Sequence, residues 1–142
     1  MPAAASNVLK GPEPAVVPSA DVLVCCGGGG LTSGIALALE ESAPGLRARP
    51  CEPEGFDDTA RSLASGQIQR NTRLAGGLCD AILTPQPGEL TFPSMTRLCG
   101  PGVVVTATTA LRAKAAGFQR SKMGGTPAGA VSPGAGGGAR RQ

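Results

Sequence analysis

Four consecutive glycines, Gly27-Gly28-Gly29-Gly30, stand between a short apolar run and a stretch with helical periodicity. No other feature of the chain constrains its fold as much. Asp21-Val22-Leu23-Val24-Cys25-Cys26 has the length and continuous apolar character of a buried parallel strand. From Leu31 to about Ser42 the residues Leu31, Ile35, Ala38 and Leu39 recur at helical spacing, and Pro44-Gly45 ends that helix. Residues without Cβ atoms let the backbone turn tightly and come close to a ligand. The helix that follows offers free N–H groups and the positive end of its dipole. Together these make a cradle for an anion such as phosphate, and the Thr32 and Ser33 hydroxyls can add donors. The motif is neither a Walker A loop, which needs Gly-Lys-Ser/Thr, nor a G-x-G-x-x-G dinucleotide fingerprint. A plain tight turn is the alternative, although one or two glycines would suffice for it.

The rest of the chain continues the alternation. Leu46 to Cys51 reads as a second strand, weakened by its arginines and Pro50. Asp57-Asp58 open a helix through about Ser65, with acids at its positive end and Gly66 placed as its cap. Residues 67–88 look mostly irregular, and Glu89 to Leu98 reads as a short helix despite Pro93. Val103-Val104-Val105-Thr106 is a β-branched strand, and Thr109 to about Lys122 a final helix. From Gly124 onward the chain is Gly, Ala, Pro and Ser with almost no apolar bulk, which predicts disorder. The organisation expected is an irregular lead-in over 1–20, an α/β domain over 21–122 and a disordered tail over 123–142. The fold class is α/β, a parallel sheet with flanking helices.

Composition narrows the partners. The net charge is +3, but the basic residues are scattered apart from Arg140 and Arg141. With 3 Phe and no Trp or Tyr there is little to stack on bases, so no nucleic acid is expected. Cys25, Cys26, Cys51, Cys79 and Cys99 form no C-x-x-C pair and His is absent, so they read as reduced, buried thiols rather than a zinc site. No apolar stretch reaches transmembrane length and the N-terminus lacks the pattern of a signal peptide. The expectation is a cytoplasmic protein without a membrane partner.

A second candidate site is Cys51-Glu52-Pro53-Glu54-Gly55-Phe56-Asp57-Asp58, with four carboxylates in seven residues around a turn. Such oxygens can hold a hard cation. They can equally form an acidic loop that caps the next helix through Asp57 or Asp58, which the spacing alone favours. Thr84-Pro85-Gln86-Pro87-Gly88-Glu89-Leu90-Thr91-Phe92-Pro93 reads only as a connection stiffened by its prolines.

Taken in order, these blocks resemble the pyridoxal-phosphate (PLP) dependent threonine/serine dehydratases and serine racemases. Val22 through Ala36 is similar to their tetraglycine loop, and Glu52-Pro53-Glu54-Gly55-Phe56-Asp57-Asp58 with Arg61-Ser62-Leu63 to their EPxxxDD…RSL segment. Cys79-Asp80-Ala81 and Pro87-Gly88-Glu89-Leu90-Thr91-Phe92-Pro93 fit the bacterial dehydratase branch, and the match extends over roughly residues 20–122. The resemblance implies the fold type II PLP architecture, similar to the tryptophan synthase β chain. It implies PLP as cofactor, its phosphate held by Gly27, Gly28, Gly29, Gly30 and Leu31. It also implies a divalent cation, Mg2+ or Ca2+, on the Glu52 carboxylate, the Phe56 carbonyl and the Asp58 carboxylate. The substrate class implied is a small amino acid, threonine or serine. Relatives commonly form homodimers or tetramers, which leaves a homo-oligomer open.

The departures matter as much. The family's Schiff-base lysine lies in an S-x-K-x-R-G-A segment upstream of the glycine loop, and no such segment occurs among the 142 residues. Lys10 is no match, and Lys114 and Lys122 fall on the last helix. The Ser-Gly-Gly-Asn segment near the family's C-terminus is also absent. The expectation is therefore the C-terminal part of a dehydratase, truncated or frame-disturbed and inactive alone, with no catalytic residue of its own. In intact relatives the reaction is β-elimination of water followed by deamination to a 2-oxo acid and ammonia. A non-catalytic PLP- or phosphate-binding module and an unstable degenerate fragment are the alternatives.

Overall fold

The computed structural model describes residues 20–73, 75–122 and 124–138, the last three by their backbone alone. Most of the expected lead-in, Lys10 and residues 139–142 lie outside the described residues. The elements run β1 (Ala20–Cys25), α1 (Gly30–Ser42), β2 (Leu46–Pro53), α2 (Asp58–Ser65), a 3-10 turn (Asp80–Ile82), α3 (Phe92–Leu98), β3 (Val103–Val105), α4 (Ala107–Ser121), a second 3-10 turn (Ala128–Ala130) and α5 (Val131–Gly138). The three strands form a parallel sheet in the order β1-β2-β3. This is the α/β class with a parallel sheet and flanking helices that the alternating pattern implies.

Strand periodicity distributes β1 between two faces. Val22 and Val24 join Ile35, Ala36 and Leu39 of α1 and Ala48 of β2 in one core cluster. Leu23 and Cys25 turn the other way, towards Cys51, Cys79, Val105, Ala110, Val131 and Ala135. Helices thus cover both faces, as a parallel sheet requires. Burying a side chain such as Leu39, 2% exposed, contributes roughly 2 kcal/mol.

Pro50 does not weaken β2 as the sequence suggests, although β2 is the central strand. The Cys51 carbonyl accepts from the Cys26 amide, and backbone groups alternate sides along a strand. Pro50 therefore faces the β3 side, where pairing begins only at Cys51↔Val103. Its missing N–H removes no bond from that ladder.

The Gly/Ala-rich stretch departs most from the sequence reading. Instead of a disordered tail, Ala128–Ala130 and Val131–Gly138 form helical turns packed on the sheet and on α4. Val131 is fully buried and Ala128, Ala130 and Ala135 nearly so. The physical reason is close approach. A Cβ on Gly134 would lie 3.2 Å from Val105 Cγ1 and 3.4 Å from Thr109 Cγ2. Small residues here leave room for the sheet rather than signal a lack of structure.

Candidate functional site

The glycine loop leaves the C-terminal end of β1 and enters α1 with Gly29 as its N-cap. Gly29 has φ 87°, the left-handed region open to glycine. A Cβ there would lie 2.5 Å from Met95 Cε and 2.9 Å from Thr91 Oγ1, so a side chain at this position is both strained by its φ and crowded by its neighbours. At Gly28, by contrast, a Cβ would meet nothing within 4 Å among the described residues.

Three successive carbonyls of the loop turn into the protein. The Gly28 carbonyl accepts from the Gly88 amide at 3.0 Å and from the Thr91 hydroxyl at 2.7 Å. The Gly29 carbonyl accepts from the Ser33 amide at 2.8 Å and its hydroxyl at 2.7 Å, and that hydroxyl also reaches the Gly30 carbonyl at 3.2 Å. No peptide among the described residues is cis. In a planar trans peptide the N–H points opposite to the C=O. Inward carbonyls on Gly28, Gly29 and Gly30 therefore turn the amides of Gly29, Gly30 and Leu31 the other way. Among the described residues these three amides donate to no turn, loop or cap bond. Adjacent amides at a helix start, beside the open side of Gly28, are a geometry that can take the oxygens of a phosphate. Leu31 is half exposed. Of the hydroxyls expected to add donors, Ser33 is engaged within the loop and Thr32 is fully buried. Beneath the loop, burial pushes the Cys26 thiol up to about 12, so it stays protonated and unreactive.

The acidic turn is built differently. Glu52 ends buried at the mouth of β2, where its Oε1 accepts from the Thr59 amide at 3.0 Å and its Oε2 from the Ala60 amide at 2.8 Å. It satisfies two of the open donors of α2 from six residues upstream of the helix. Asp57, the N-cap residue, makes no side-chain cap bond. The capping expected of Asp57 or Asp58 is thus performed by Glu52. Burial pushes the Glu52 carboxyl up to about 8, although the helix amides favour its charged form. Asp58 is also buried and raised, mainly by that burial. Its Oδ1 accepts from Asn71 Nδ2 at 2.6 Å, while its Oδ2 has no partner among the described residues. The Phe56 ring is buried and its amide donates to the Pro53 carbonyl at 3.0 Å. Among the described residues, no cluster of three or more His, Cys, Asp or Glu side chains could hold a metal ion.

Sequence reasoning missed Asn71, Gly88 and Thr91. The Pro-rich segment that carries the last two hinted only at rigidity, and nothing local marks Asn71. A separate cavity of about 440 Å³, lined by Ala60, Leu63, Thr96, Cys99 and Gly102 among others, lies between α2, the end of α3 and the turn before β3. Neither Lys114 nor Lys122 on α4 and its cap lines it.

Similarity to known proteins agrees with this architecture. Residues 11–141 match the family of pyridoxal-phosphate dependent enzymes. The chain is 37% identical over 120 residues to the serine racemase of Oryza sativa subsp. indica, covering 81% of this chain and 34% of that protein. It is 33% identical over 112 residues to the catabolic L-threonine dehydratase of Escherichia coli, covering 79% of this chain and 34% of that protein. Its fold superposes on the crystal structure of T.th. threonine deaminase with a TM-score of 0.82 at 33% identity, covering 87% of this chain and 41% of that one. The chain thus spans about a third of the length of the curated relatives it matches. No described helix is long and apolar enough to cross a membrane. A parallel α/β sheet, a glycine turn with outward amides at its mouth, and a match along nearly the whole sequence lead to one conclusion: the chain belongs to the pyridoxal-phosphate dependent enzyme family.

Proposed function

We propose that this chain is the phosphate-gripping part of a PLP-dependent threonine/serine dehydratase. The observation that carries the reading is the set of three inward carbonyls, Gly28 to Gly30, at the start of α1. Gly27, Gly28, Gly29, Gly30 and Leu31 would hold the PLP phosphate. Gly27 and Gly28 give the backbone its approach, and the amides of Gly29, Gly30 and Leu31 supply the donors. When bound, PLP supplies an electron sink for chemistry at the α-carbon of an amino acid. This chain's residues would orient it by the phosphate. The reaction proposed for the complete active site is loss of the β-hydroxyl of threonine or serine as water, then deamination to a 2-oxo acid and ammonia. The L-threonine dehydratase and threonine deaminase relatives favour that outcome. The serine racemase relative favours a second reading, proton exchange at the α-carbon of serine.

The sequence contains no S-x-K-x-R-G-A segment. The chain alone therefore lacks the covalent nucleophile and turns over no threonine. The cation is a further component of the proposal. The Asp58 Oδ2, unpartnered among the described residues, favours it. Glu52 counts against it, because both its oxygens already accept helix amides. Mg2+ or Ca2+ that binds there raises the thermal midpoint of the chain, and loss of that effect in Asp58→Ala locates it.

Two measurements test the main reading. Titration of the purified chain with PLP and with pyridoxal, which lacks the phosphate, is expected to show a clear preference for PLP. Incubation with PLP and threonine, followed for 2-oxobutanoate, is expected to show none above background. Equal affinity for the two vitamers overturns the phosphate site, and turnover overturns the assignment of this chain as inactive alone.

A further inference from the structure

Asn71 lies in the irregular segment after α2 and is only 7% exposed. Its Nδ2 donates to Asp58 Oδ1 at 2.6 Å and to the Thr84 carbonyl at 2.8 Å. Its Oδ1 accepts from Arg61 Nη2 at 2.7 Å, and its main-chain amide donates to the Pro85 carbonyl at 2.8 Å. Both side-chain donor directions and the side-chain acceptor are in use. One residue thus ties α2, through Asp58 and Arg61, to the Thr84–Pro85 peptide.

That peptide belongs to a strap that lies against the glycine loop. A Cβ on Gly27 would be 3.3 Å from Ile82 Cα, 3.4 Å from its carbonyl oxygen and 3.5 Å from Thr84 Cγ2. Three residues beyond Pro85, Gly88 donates to the Gly28 carbonyl, and Thr91 adds its hydroxyl. Asn71 therefore anchors one end of a segment whose other end sets the direction of the Gly28–Gly29 peptide.

We propose that Asn71 is a positioning residue for the phosphate cradle. By holding Thr84 and Pro85 to α2, it keeps Gly88 and Thr91 where they draw the Gly28 carbonyl inward and so aim the Gly29 amide outward. The proposal rests on the reading of Gly27–Gly30 as the phosphate site. Asparagine suits the role because it donates to two oxygens and accepts from a guanidinium at once. Aspartate would place an acceptor against the Asp58 carboxylate and the Thr84 carbonyl.

The test uses the full chain and the ratio of its Kd for pyridoxal to its Kd for PLP. In the unsubstituted chain this ratio is expected to be about tenfold or more, as charge-assisted bonds to a phosphate imply. Asn71→Ala and Asn71→Asp are expected to bring the ratio close to one while leaving the pyridoxal Kd nearly unchanged. Arg61→Ala, which removes one partner of Asn71 at a more exposed position, is expected to lower it partway. General loosening of the fold weakens both ligands together and leaves the ratio where it was. A full ratio in Asn71→Ala overturns the proposal. If that variant shows no cooperative unfolding, an unchanged ratio in Arg61→Ala overturns it instead. No preference for PLP in the unsubstituted chain removes the phosphate reading itself, a failure distinguishable from that of Asn71 alone.

Discussion

Two glycine-rich regions of this molecule look alike in sequence and do opposite things. Gly27 to Gly30 turn the chain at the mouth of the sheet and leave three amides facing away from the protein. The stretch from Ala128 to Gly138 coils into helical turns and presses against the sheet and α4. In both, the missing Cβ permits close approach. At Gly134 the neighbour is the chain itself, with Val105 3.2 Å from a would-be Cβ. At Gly28 a would-be Cβ meets no atom within 4 Å among the described residues. A glycine run therefore announces proximity without naming the partner.

Substitutions that add side chains to each region test this contrast, and the largest effect is expected at Gly29. Gly29→Val combines a left-handed φ with overlap on Met95 and Thr91, which destabilises by about 4 kcal/mol. Denaturant unfolding measures it, and a near-normal midpoint would mean that the loop is not held as described. Gly134→Leu is expected to lose roughly 2 kcal/mol by overpacking against Val105 and Thr109. It should also open Cys51 and Cys79, which share a cluster with Val131 and Ala135, to a thiol reagent. Unchanged protection of those thiols would return the tail to the disordered segment its composition suggests.

Gly28→Ala separates ligand from fold. With open space around the new methyl group, stability is expected to change by less than about 1 kcal/mol. PLP affinity should fall about tenfold, or 1.4 kcal/mol, while pyridoxal affinity holds. Equal loss for both ligands would separate the open side of Gly28 from the phosphate.

A further effect appears at high pH, where each region shelters a thiol. Burial raises Cys26 to about 12 and Cys51 to about 11, from an ordinary 9.0. Above pH 9 the unfolded chain releases these protons while the folded chain keeps them. Fewer protons bound in the unfolded state means stability falls as pH rises. The loss is expected to begin near pH 9 and continue to about 11 and 12, the raised values of the two thiols. Urea midpoints at pH 8, 9.5 and 10.5 report it, and Cys26→Ala should flatten the slope. The smallest effect belongs to Gly125→Ala, where a Cβ meets nothing within 4 Å and no φ in the left-handed region stands against it. A change within about 0.5 kcal/mol is expected, and a larger one would show that the segment before Ala128 is more tightly packed.

The acidic turn shows why side-chain sites read less well than backbone ones. Glu52, Phe56 and Asp58 lie within seven residues of sequence, and their spacing allows either a cation or a cap. Glu52 caps α2 because the turn folds its carboxylate back onto the Thr59 and Ala60 amides. Asp58 instead meets Asn71, thirteen residues away. Neither partnership has a local signature. Pro50 is a similar case, since its place in a central strand is tolerated only because β3 pairs from the next residue onward.

By itself, the sequence determined the βα unit at the glycine loop, the parallel α/β class and the helix starting near Asp57. Strand length, 3.6-residue spacing and the lack of a Cβ act within a few residues of one another and need no distant partner. Only the tertiary structure decided that Glu52 caps α2, that Asn71 ties α2 to the strap over the loop, and that the glycine-rich tail is helical. Each of those outcomes depends on which surface a residue meets across the fold, and burial and hydrogen-bond geometry are properties of the meeting rather than of the residue.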